Sequence, residues 1–94
     1  MSKYNTYAQQ LDAAFKTARD EYAAAYGELE RARQADTDAK AWRPNDNEED
    51  KRLRIATRAL ELDKADAAFK IAEARIWPEF DAKCKELRKE LEKD

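Results

Sequence analysis

Proton transfer and covalent catalysis draw on a short list of side chains, and this chain carries few of them in a usable arrangement. It has no histidine. That removes the triads and dyads that use histidine as base, the HExxH zinc helix and the ExxH di-iron pattern. One cysteine, Cys84, can build neither a structural zinc site nor an internal disulfide. It falls on an apolar helical stripe, where a thiol packs as a small hydrophobe; as a nucleophile it lacks an evident activating base. One glycine, Gly27, excludes a glycine-rich phosphate loop. The carboxylates are numerous but matched: Asp12 and Lys16, Lys16 and Asp20, Asp50 and Arg54, Asp66 and Lys70, Asp81 and Lys85, and Arg88 and Glu92 are each four apart. Such pairs decorate solvated helix faces and contribute about 0.2–0.5 kcal/mol each. No enzyme, cofactor or metal is expected.

Binding chemistry offers two candidate groups. Lys51, Arg54 and Arg58 share one helical face and form a candidate phosphate-contacting patch, the basis of an alternative reading as a small nucleic-acid-associated regulator. Three acidic residues directly precede the patch, and no aromatic platform interleaves with it. With 19 basic against 21 acidic residues, a formal net charge of −2, the chain has no general attraction for nucleic acid or anionic membrane. Trp42 and Trp77 are the other group. Trp42 stands two residues before Pro44 and Trp77 directly before Pro78, where a helix ends or bends, and each either plugs the end of a core layer or anchors a partner.

The elements that must carry these residues are helices. Ala, Glu, Lys, Arg and Leu dominate, valine is absent and β-branched residues are few. Thr6-Tyr-Ala-Gln9 fits a capping box, and Ala8, Leu11, Phe15, Ala18, Tyr22, Ala25, Leu29 and Ala32 follow at three- and four-residue steps. A weak point at Asp36-Thr-Asp38 invites fraying or a break. Pro44 disfavours helix at Arg43, and Asn45 with Glu48 can cap the next helix. The expectation is one helical domain over 1–94: a helix over about 6–42, a turn at 43–46, and a helix over about 47–92. The second helix carries Ile55, Ala59, Leu62, Phe69, Ala72 and Ile76, and the stripe resumes in phase at Phe80, Cys84, Leu87 and Leu91. That continuity predicts one helix kinked near Pro78; a third helix starting at Pro78 is the alternative. The word DAAFK occurs at Asp12–Lys16 and again at Asp66–Lys70. Duplication and convergence both explain it, and either way Phe15 and Phe69 are expected in one core layer.

Two helices joined by a bend that carries Trp42-Arg43-Pro44 resemble, in outline, the small Trp-x-Gly hairpins exported by type VII secretion. Pro44 stands at the glycine position and the chain is far more charged, so the resemblance covers topology and one residue and transfers no function.

A second apolar stripe runs along the second helix: Leu53, Ala56, Leu60, Ala67, Ile71 and Ala74. Leu60 and Leu62 are two apart and point to nearly opposite sides. One stripe faces the first helix, leaving Leu53, Leu60 and Ile71 for something else. The all-α hairpin is therefore expected to dimerise into a four-helix bundle, with a monomeric three-helix bundle as the alternative, a short segment folding back over this face. The opening Met-Ser-Lys-Tyr-Asn lacks the apolar run of a signal peptide, and no window is apolar enough to span a bilayer. With the lone cysteine, this points to the cytoplasm. The function expected is a non-enzymatic protein–protein interaction module: a self-associating adaptor, scaffold or inhibitor of a larger protein, of bacterial or phage character.

Overall fold

The computed structural model describes residues 2–93. Two helices, α1 (Lys3–Ala39) and α2 (Glu48–Glu92), make up nearly all of it, with no strand among the described residues. They pack as a helical hairpin whose contacts fall into two compact units. One comprises the segments up to Ala24 and from Ala72 onward, the other Ala25–Ile71.

The helix ends depart from the sequence expectation for local reasons. Ser2, not Thr6, caps α1: its Oγ accepts from Asn5 N–H at 3.1 Å, and its carbonyl accepts from Thr6 N–H at 3.2 Å. The Thr6 hydroxyl donates back to the same carbonyl, so α1 starts at Lys3. At the other end Lys40 and Ala41 N–H reach Thr37 and Asp38 carbonyls, tightening the last turn and ending α1 at Ala39 rather than Trp42. Arg43 to Asp46 then form a turn closed by Asp46 N–H on Arg43 C=O at 3.0 Å. Pro44 takes its second position and Asn45, at φ 63°, its third; asparagine tolerates that left-handed conformation better than most residues. Asn45 is thereby committed to the turn, and Asn47 caps α2. Its Oδ1 accepts from Asp50 N–H at 2.8 Å and its Nδ2 donates to Asp50 Oδ2 at 3.0 Å.

No third helix forms among the described residues. α1 runs unbroken through Asp36–Asp38, where Asp36 pairs with Lys40 at 3.1 Å and Asp38 accepts from Gln34 Nε2 at 2.9 Å. α2 continues through Pro78, which has no N–H for the Ala74 carbonyl. The three-helix alternative thus gives way to a two-helix hairpin.

In the unit built from the chain's two ends, Ala18, Ile76 and Leu87 are buried. Around them aromatic rings meet: Phe15 and Phe80 edge-on at 5.8 Å, Tyr22 and Trp77 at 5.6 Å, Trp77 and Phe80 at 6.1 Å. Arg75 bridges the helices to Glu21 at 3.0 Å. In the Ala25–Ile71 unit Leu29 and Ala39 are buried, and Tyr26 meets Phe69 edge-on at 5.9 Å.

Phe15 and Phe69 therefore belong to different layers, contrary to the expectation that they share one. Ala39, the last residue of α1, lies beside Arg54 rather than beside the start of α2, so the first turns of α2 extend past α1 alongside the loop. Within its own unit, Phe15 meets Phe80, and Phe69 meets Tyr26. These two pairs are each other's counterparts at the spacing of the DAAFK echo, with interplanar angles of 65° and 68°. The repeated word writes one aromatic contact twice.

Candidate interaction surface

At about 100° per residue, Leu53, Leu60 and Ile71 fall within about 20° of one line along α2, opposite the line through Ile55, Leu62 and Phe69. The second line faces α1 and is half-buried. The first is open: Leu53 is 68%, Leu60 57% and Ile71 71% exposed. Ala56, Ala67 and Ala68 on the same side are exposed as well. All of these residues lie in the Ala25–Ile71 unit, and no described segment of the chain folds over them.

Of the two tryptophans, Trp77 is built into the aromatic cluster with Tyr22 and Phe80 and is 36% exposed. Trp42 is not a plug. It sits in the loop, 65% exposed, with the Lys51 ammonium 3.8 Å from its ring centroid. That cation–π contact covers one face of the indole and leaves the rest presented.

The proposed phosphate patch is differently employed. Arg54 Nε donates to the Ala39 carbonyl at 3.1 Å, one terminal nitrogen to the Ala41 carbonyl at 2.9 Å, and both terminal nitrogens to the Asp46 carboxylate at 2.9 and 2.8 Å. This fork ties the loop to α2. Arg58 pairs with Glu61 at 2.8 Å, and Lys51 covers Trp42. The three basic groups thus have three separate partners instead of forming one open anion site. Asp46 is the residue sequence reading passed over. Its Oδ2 also accepts from Arg43 N–H at 3.1 Å, and the Arg54 guanidinium, with that N–H, holds its carboxyl down at about 2. An aspartate closing a Pro-Asn-Asp turn, eight residues before an arginine, is the signal that was there to be read.

Cys84 is half-buried on the inward stripe. No group of three His, Cys, Asp or Glu among the described residues could hold a metal ion. An open groove of about 280 Å³ between the helices is lined by Ala14, Ala18, Ile76 and Phe80, with Glu21 at its rim already paired to Arg75. No described helix is long and apolar enough to cross a membrane. Compared with protein-family models, curated proteins and solved structures, the chain matches none.

Proposed function

We propose that this chain is a non-enzymatic interaction module that self-associates through the outer face of α2 and serves as an adaptor, scaffold or inhibitor for a larger protein. The observation that carries the reading is the exposure of Leu53, Leu60 and Ile71 on one line of a helix whose opposite line is already satisfied. Covering them is worth about 1.5–3 kcal/mol each, large beside the stability of a small domain. A second copy is the simplest cover, because a twofold contact uses one patch twice and yields a four-helix bundle. A bend of α2 at Pro78 belongs to the same architecture, since proline inside a helix removes a hydrogen bond and crowds the preceding turn. Trp42, aromatic and presented on the loop, is the residue offered to a larger partner. A lone cysteine and a balanced, acidic-leaning charge fit a reducing, cytoplasmic setting.

Sedimentation at low micromolar concentration tests the reading. The 10.9 kDa chain is expected to run as a dimer, and Leu60→Glu as a monomer with unchanged helical circular dichroism. A monomeric wild type would overturn it.

A further inference from the structure

We infer that the contact between copies is an antiparallel pairing of α2 with α2, centred on Leu62 and held in register by Lys64. This rests on the self-association reading above and adds its orientation. Heptad spacing along the outer face of α2 puts Leu53, Leu60 and Ala67 at one kind of seam position and Thr57, Lys64 and Ile71 at the other, all six exposed. Antiparallel helices layer one kind against the other. Leu53 then meets Ile71 of the second copy, Thr57 meets Ala67, and Leu60 meets Lys64, each pair bracketing Leu62 symmetrically. The small side chains of Ala56, Thr57, Ala67 and Ala68 let the two backbones approach closely.

Two charge contacts favour the antiparallel orientation. In a parallel pair Lys64 would face its own copy, and the acidic first turn of α2, Glu48, Glu49 and Asp50, would lie beside itself. The antiparallel pair sends those acidic turns to opposite ends. It also lays the Lys64 stem along Leu60 of the other copy, with the ammonium beside Glu61. Glu61 already holds Arg58 at 2.8 Å, so the incoming lysine joins an existing ion pair. A single lysine at a seam position costs stability and fixes register and partner number.

The test is pulsed dipolar spectroscopy on the full chain in a Cys84→Ala background, with one spin label at Asp63→Cys or Glu49→Cys and helicity checked by circular dichroism. The expected label separation is under about 20 Å at 63, because packed helix axes lie about 8–10 Å apart. At 49 it is about 40 Å, from a rise of 1.5 Å per residue on either side of the centre. Short separations at both sites mean a parallel pair, and long ones at both mean another face; either overturns the inference and leaves self-association standing. No dipolar coupling at either site, with monomeric sedimentation, overturns both. As a second readout, Lys64→Glu is expected to weaken the dimer about twofold to fivefold, and adding Glu61→Lys to restore it. A double exchange as weak as the single one overturns the Lys64 pairing.

Discussion

Asp46 shows how one side chain can organise a loop. Its carboxylate takes two N–H groups of Arg54 and the backbone N–H of Arg43, and all three favour the charged form, so the folded state holds it near 2 against an ordinary 3.8. A depressed carboxyl stabilises the fold above its unfolded value and ceases to do so as pH falls through the folded one. The contribution of Asp46 is therefore complete at neutral pH and fades between about pH 4 and about pH 2. Asp46→Asn is expected to lower the urea midpoint at pH 7, and its deficit relative to wild type to shrink across that acid window. A deficit constant from pH 7 to 2 would contradict the carboxylate's role. At Gly27 the backbone does not need glycine: it is helical, and a Cβ there would meet nothing within 4 Å. Gly27→Ala is expected to gain about 0.5–1 kcal/mol in urea denaturation.

At the scale of elements, the inward lines of both helices were legible from three- and four-residue spacing. Ala18, Leu29, Ile76 and Leu87 are buried, and Leu11, Tyr22, Leu62, Phe69 and Cys84 are half-buried. Ala8 and Ala59, placed on the same lines, are exposed, and so is Phe15 at 47%. Two helices touch along a single seam, so residues at its edges keep part of their surface in water. Few positions reach full burial, and those that do carry much of the stability. Leu29, at 2% exposure, is one; Leu29→Ala is expected to cost about 2–5 kcal/mol, read as a drop in the urea midpoint. The register between helices was not legible, because it depends on how the loop packs. Arg54 ties the end of α1 and the loop to the second turn of α2.

For the whole molecule, a two-helix hairpin of this length has a thin core and an apolar line left over. If copies of α2 cover each other, unfolding is coupled to dissociation, and the thermal midpoint is expected to rise with protein concentration. Scans from about 2 to about 200 µM measure this; a midpoint that stays constant while the chain sediments as a monomer would remove the assembly. Leu53, Leu60 and Ile71 on the outer line of α2 are exposed, and Lys51, Arg54 and Arg58 each engage a different neighbour.

Helical periodicity and composition by themselves determined that the chain is all-α, that α2 has two apolar lines, and that histidine-based chemistry is absent. Each follows from spacing or residue identity, which are local properties. The caps at Ser2 and Asn47, the exchange of aromatic partners and the commitment of Arg54 to Asp46 were decided only by the tertiary structure. They depend on competition among neighbours for the same hydrogen bonds and the same seam, and that competition exists only once the chain has folded back on itself.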